Sequence, residues 1–95
     1  MMINRLVWDD WNRNHITKHE VTPAEVQQVI DNEYVFLPSH SGRIVVIGLT
    51  ETGRALHITL AARGVGIYYV VTARVADRKE RAYYHMFKEE QEGQI

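Results

Sequence analysis

Three strand-like runs, Arg43–Thr50, Arg54–Arg63 and Ile67–Arg74, follow one another with three residues between each pair. The connections carry Gly53 in the first gap and Gly64 and Gly66 in the second. Short glycine-bearing turns of this kind point to an antiparallel meander. The first run is near-continuously apolar through Ile44-Val45-Val46-Ile47. The second alternates, with Leu56, Ile58 and Leu60 on one face and His57 and Thr59 on the other. The third is rich in Tyr and Val, and its alternation sends Tyr68 and Tyr69 to opposite faces. Tyr34–Pro38 reads as an additional strand leading into a loop at Ser39–Gly42.

Helical signals flank this block. Arg5-Leu6-Val7-Trp8 reads as a short strand, after which Asp9 caps a helix reaching about His19, with Trp11 and His15 on its repeat. Thr22-Pro23-Ala24-Glu25 is a helix start with N-cap, proline at the first helical position and a capping-box glutamate. Val26, Val29 and Ile30 form that helix's apolar face, and Asn32 ends it. Asp77-Arg78-Lys79-Glu80 opens a last helix from Arg78 to about Glu90, with Ala82, Tyr83, Met86 and Phe87 on one face. Arg78, Arg81, His85 and Lys88 fall on the opposite side. The fold class is therefore α+β. The expected architecture is an N-terminal strand and two helices, a three- to four-stranded antiparallel sheet, and a C-terminal helix. At 95 residues the chain is read as one domain, 1–95.

Composition narrows the chemistry. There are no cysteines, so disulfide frameworks, thiolate metal sites and cysteine nucleophiles are excluded. No apolar run has the roughly 18 residues of a membrane span, and the polar first residues do not form a signal peptide. A cytoplasmic location is expected, with no membrane partner. The net charge is −1, but it is unevenly distributed. Arg54 to Lys88 holds seven basic residues against Asp77 and Glu80, a net +5, while the tail bears Glu89, Glu90 and Glu92. This asymmetry fits an anionic partner.

Several residue groups suit such a partner. Arg74 ends a strand just before a helix N-terminus, where free N–H groups and the dipole favour an oxyanion. Arg78 and Arg81 continue the cationic surface, which otherwise reads as the solvated side of an amphipathic helix. His15, Lys18 and His19 lie at i, i+3 and i+4 and share a helix face. They suit charge stabilisation and proton transfer at a phosphodiester. The pair His15 and His19 has ligand spacing, but no third ligand has a place in the sequence, and no metal or cofactor is expected. His40 and His57 are single histidines. Trp8 and Trp11 read as core or interface anchors, and an exposed tyrosine of the Tyr68-Tyr69 pair could stack on a base. No phosphate-binding glycine loop, serine nucleophile elbow or usable carboxylate pair is present.

Trp8-Asp9, Lys18-His19 and the run Ala73-Arg74-Val75-Ala76-Asp77-Arg78-Lys79-Glu80-Arg81-Ala82-Tyr83-Tyr84 together resemble BrnT-type toxins. Those proteins share W-D near the start, K-H at the end of the first helix, and A-R-x-A-x-x-x-E-R-x-x-Y entering the last. The order and spacing of elements agree over nearly the whole chain. The resemblance implies a RelE-like ribonuclease fold and the toxin role in a type II toxin–antitoxin system, with metal-independent RNA cleavage that slows translation. It also implies a DNA-binding antitoxin as cognate partner, operator DNA being met only through that antitoxin. Lys18, His19, Arg74 and Arg81 are the implied catalytic positions; His15, Arg63 and Arg78, outside what the resemblance carries over, are expected RNA contacts from their place among the cationic groups. Glu80 matches the motif too, but it has a competing role as the capping-box acid. The chain departs from many relatives in carrying His15 in place of an asparagine, and Ala62-Arg63 in place of a Glu-Arg pair. The alternative is a catalytically inactive BrnT-like module that docks an acidic partner or nucleic acid. Exposed strand edges and tryptophans would suit a homodimer.

Overall fold

Each helix starts where a side chain can take up free backbone N–H groups. In the computed structural model, which describes residues 1–92 and the last three of these by backbone alone, the elements follow the chain in simple order. They are β1 (Arg5–Val7), α1 (Asp10–Thr17), α2 (Pro23–Asp31), β2 (Tyr34–Pro38), a 3₁₀ turn (His40–Gly42), β3 (Ile44–Leu49), β4 (Ala55–Gly64), β5 (Ile67–Val75) and α3 (Arg78–Glu92). The side chains of Glu90 and Glu92, part of the expected acidic tail, lie outside the described residues.

The five strands form one sheet in the order β1-β5-β4-β3-β2. The meander β2-β3-β4-β5 is antiparallel throughout. β1 joins its outer edge in parallel, pairing Arg5, Leu6 and Val7 with Ile67, Tyr68 and Tyr69. Gly66, at φ +73°, anchors this edge, its carbonyl accepting from the Asn4 and Arg5 N–H groups at 2.8 and 3.1 Å.

Both faces of the sheet are used. On one, Ile16 of α1 and Val26, Val29 and Ile30 of α2 pack against Val46, Leu56, Ile58, Leu60, Val70 and Ala73. The fit is close at Gly48, where a Cβ would stand 2.8 Å from Val29 Cγ1. On the other face α3 lies over β2 and β3, with Tyr84 buried against Val35, Ile47, Ala55 and Ala76, and Tyr83 and Phe87 beside it. The packed face of α3 therefore holds Tyr83, Tyr84 and Phe87. Met86, expected there, is 70% exposed, because Tyr84, two residues earlier, takes the inward position.

An irregularity in β5 decides what the second face carries. Thr72 pairs with Thr59, and Val70 with Leu60, so Val71 is an extra residue without a partner on β4. The bulge lets Val70 and Ala73, an odd number of residues apart, both point into the first core. Strict alternation from Val70 would have turned Thr72 and Arg74 into that core. With the bulge, they stand opposite Thr59 and His57 on the second face.

Asn12 secures this arrangement. It is fully buried, and its amide donates to the carbonyls of Val7 and Val70, both at 3.0 Å. Its Oδ1 accepts the Asp9 N–H at 2.8 Å, while Asp9 Oδ1 accepts the Asn12 N–H at 2.9 Å, a reciprocal capping box. Asn12 and Ile16 are thus the inward positions of α1, not Trp11 and His15. A buried amide is tolerated there because its partners are supplied. α1 ends at Thr17, two residues earlier than expected. Val21 N–H bonds back to Ile16 O at 3.2 Å and Glu20 N–H to Thr17 O at 2.9 Å, with Glu20 at φ +58°. This is a Schellman closure, and Val21 and Ile16 supply its apolar contact. Asn12→Ala would strand two backbone carbonyls beside the bulge and half of a helix cap. We expect a loss of about 2–3 kcal/mol in urea unfolding.

Candidate functional site

Because α3 covers β2 and β3, the β4–β5 half of the second face is left with half-buried polar side chains. His57 and Arg74 are cross-strand partners there, as are Thr59 and Thr72. Glu80, in the first turn of α3, reaches down onto the first pair. Its carboxylate takes a bidentate pair of bonds from Arg74, Nη1 to Oε1 at 2.8 Å and Nη2 to Oε2 at 3.0 Å. Oε2 also meets His57 Nδ1. Oε1 accepts the Asp77 N–H at 2.8 Å, and Asp77 Oδ1 accepts the Glu80 N–H at 2.8 Å. Glu80 is therefore the cap acid and the bridge between two strands at once.

The electrostatics follow from these contacts. Burial raises the Glu80 carboxyl, but Arg74, the Asp77 N–H and His57 together outweigh it and hold the group at about 2, below its ordinary 4.5. Glu80 in turn raises Arg74, against the lowering effect of burial, so the guanidinium stays charged. A carboxylate so firmly ionised is a poor proton acceptor near neutral pH. Its effect is to orient its neighbours. With Nδ1 turned to Glu80, the other ring nitrogen of His57, Nε2, lies 3.1 Å from Thr59 Oγ1. Arg74 uses Nη1 on Val75 O at 3.2 Å as well as on Glu80, and Nη2 lies 3.3 Å from His57 Nδ1 as well as bonding Glu80, which leaves Nε–H. The Arg74 side chain is 39% exposed, against 14% for His57 and 17% for Glu80.

The polar run continues toward α1. Thr72 Oγ1 lies 3.1 Å from His15 Nε2, and the His15 ring stacks on Trp11 with centroids 4.8 Å apart and planes 8° from parallel. His19 meets His15 edge to face at 5.4 Å. Farther along the sheet, Arg63 lies over the Tyr69 ring at 4.6 Å, and the Tyr69 hydroxyl donates to both oxygens of Asp9 at 3.0 Å. Chiefly the Asn12 N–H, and also this hydroxyl, hold the Asp9 carboxyl below its ordinary range.

Of the residues expected at a site, direct contacts join Arg74 to the His57–Glu80 pair, and His15 lies at the far end of the same polar run. Lys18 and His19 sit in the closing turn of α1, and no hydrogen bond or ion pair ties either to Arg74. Arg81 donates to the Ala76 carbonyl at 2.9 Å, not to the cluster. Arg78 is exposed at the start of α3. In the sequence His57 stands as a single histidine. Its signal was its place on the polar side of an alternating strand, but recognising its partner required the β4–β5 register. Among the described residues, no three His, Asp or Glu side chains gather as metal ligands. No described helix is long and apolar enough to cross a membrane.

Two surface recesses differ in their relation to the cluster. One of about 220 Å³ lies among Leu37, Val45, Ile47, Lys79 and Tyr83, directly beside His57 and Glu80. It is smaller than the roughly 300–1,000 Å³ usual for small-molecule sites. The other, about 420 Å³, is lined by Asn32, Glu33, Leu49, Thr50, Glu51 and Tyr84. Its only ionised groups are acidic, which is the wrong sign for a phosphate ligand.

Comparison with known proteins bears on the architecture. No family model and no curated protein matches the chain in sequence. The crystal structure of the Brucella abortus ribonuclease toxin BrnT superposes with a TM-score of 0.64, covering 82% of this chain and 100% of that one at 20% identity. The chain has a BrnT-like fold. At that identity the similarity is one of fold alone. The family pattern seen in the last strand and helix now has a structural reading. The Arg and Glu of the BrnT-like motif, Arg74 and Glu80, are the two halves of one bidentate ion pair.

The depressed Glu80 carboxyl has a thermodynamic consequence. Its folded value lies below the ordinary one, so the unfolded chain takes up the proton first. The stabilisation is complete above about 4.5 and is lost as pH falls toward about 2. Glu80→Gln should lower stability by about 1–2 kcal/mol at pH 7. The difference from the parent should shrink between pH 4.5 and 2, as followed by denaturant unfolding at stepped pH.

Proposed function

We propose that this BrnT-like chain is the toxin of a type II toxin–antitoxin system, a metal-independent endoribonuclease of the cytoplasm that inhibits translation. The observation that carries this reading is the pairing of His57 with Arg74 under one carboxylate on an open sheet face. A neutral imidazole held in one tautomer suits removal of the proton from an RNA 2′-hydroxyl. The freed oxygen attacks the adjacent phosphorus, the P–O5′ bond breaks, and a 2′,3′-cyclic phosphate forms. The proton passes on to the 5′-oxygen leaving group. Arg74, with Nε–H to spare, stabilises the charge gathered on the phosphorane oxygens. Glu80 is a positioning residue for both.

The remaining cations take supporting places. Lys18 and His19 at the end of α1, and Arg81 in α3, supply further charge at the phosphodiester. His15, Arg63 and Arg78 contact flanking RNA. The partner is a DNA-binding antitoxin that covers this face, so operator DNA is reached only through it. The two free sheet edges, β1 and β2, leave room for a homodimer.

A second reading, a binding module without cleavage, draws on one observation. Position 62, acidic in many relatives, is an exposed alanine opposite Tyr68. His57 offers another base, which is why the catalytic reading is preferred.

The test is to induce the protein alone in a bacterium and to incubate purified protein with single-stranded RNA in EDTA. Growth arrest and RNA cleavage that persists in the chelator are expected. His57→Ala and Arg74→Ala should each lower cleavage about 10²–10³-fold with the fold retained by circular dichroism. RNA bound without product would support the binding module instead. Intact RNA and normal growth with soluble, folded protein would refute the enzyme.

A further inference from the structure

Trp11 presents a large flat ring to solvent, 59% exposed, although Trp8 three residues earlier packs against the core. The ring is not loose. One face lies on His15 at 4.8 Å, nearly parallel, and His15 is itself tethered through Nε2 to Thr72 on β5. His19 meets His15 edge to face at 5.4 Å. Three rings at i, i+4 and i+8 therefore form a ladder along α1 and its closing turn, with an open indole surface at its N-terminal end.

The ladder is connected to the proposed phosphate site. From His15 the polar groups run through Thr72 to its cross-strand partner Thr59, from Thr59 to His57 at 3.1 Å, and from His57 to Arg74. The Asp9 cap beneath Trp11 is bound by Tyr69, over which Arg63 lies. An RNA strand with a phosphate at Arg74 would thus have a rigid aromatic face on one flank.

We propose that the outer face of Trp11, held flat by His15, is a stacking site for an unpaired nucleobase next to the scissile phosphate. A base fits this surface better than an aliphatic group, because flat, fixed aromatic rings are what unpaired bases stack on in single-stranded nucleic-acid sites. Stacking gives affinity with little choice among bases. The inference rests on the RNA-cleavage reading, which it extends by naming where the flanking base lies.

Binding of a labelled, non-cleavable 2′-O-methyl oligonucleotide tests it, measured by fluorescence anisotropy beside an abasic oligomer of the same length. Trp11→Leu should weaken binding of the base-bearing oligomer about tenfold, leave the abasic one unchanged, and be partly rescued in Trp11→Phe. Equal affinity of Trp11→Leu and the parent for the base-bearing oligomer would overturn the stacking site, as would an equal loss with the abasic one. Undiminished RNA affinity with lost antitoxin binding would also overturn it and give the ring to a protein interface. RNA cleavage by the parent protein, assayed separately, keeps the two ideas apart. Cleavage with Trp11→Leu unimpaired in binding overturns the stacking site alone, whereas a parent that neither binds nor cleaves RNA overturns both.

Discussion

One extra residue in β5 decides what the open face of the sheet displays. Without the bulge at Val71, the alternation that turns Tyr68 and Val70 onto the first core would carry Thr72 and Arg74 into it as well. An arginine there would be a buried charge without a partner. With the bulge, Arg74 emerges opposite His57, and Asn12 supplies a donor to the neighbouring Val70 carbonyl. The first helix is fastened to the sheet by that same amide, so the bulge, the α1 cap and the polar face are mutually dependent.

Glu80 makes the emergent pair into a site. A carboxylate at the third position of a helix would ordinarily serve the N-terminal N–H groups alone. Here the helix begins directly after β5, so the cap acid reaches back onto the strand it has just left. It binds Arg74 in a fork and meets His57 on the next strand. Orientation and ionisation come from one group. The two functional side chains belong to adjacent strands and need no loop to assemble them, which favours a rigid constellation.

Much of this fold was legible in the chain. The starts at Thr22–Glu25 and Asp77–Glu80 are local signals whose donors and acceptors are three residues apart, so no tertiary knowledge is needed. The meander was legible because its turns are short. The parallel attachment of β1 was not, since three residues pair across some sixty positions and carry no turn signal. The inward face of α1 was hidden by a polar residue: Asn12 is buried because the Val7 and Val70 carbonyls accept its amide, a fact of tertiary structure. Arg74 was visible through its motif, whereas His57 became visible only with the β4–β5 register. Lys18, His19 and Arg81 were equally visible in the motifs, but no direct bond joins them to the pair.

The most direct examination of the proposed site is NMR titration of the protein with a non-cleavable 2′-O-methyl RNA, following the His57 imidazole and Arg74 Nε–H signals. If the paired His57 and Arg74 receive the phosphate, these two should shift together at saturation, with smaller changes at Thr59 and Thr72. Shifts confined to the solvent side of α3, at Arg78, His85 and Lys88, with the His57 and Arg74 signals unmoved, would contradict it.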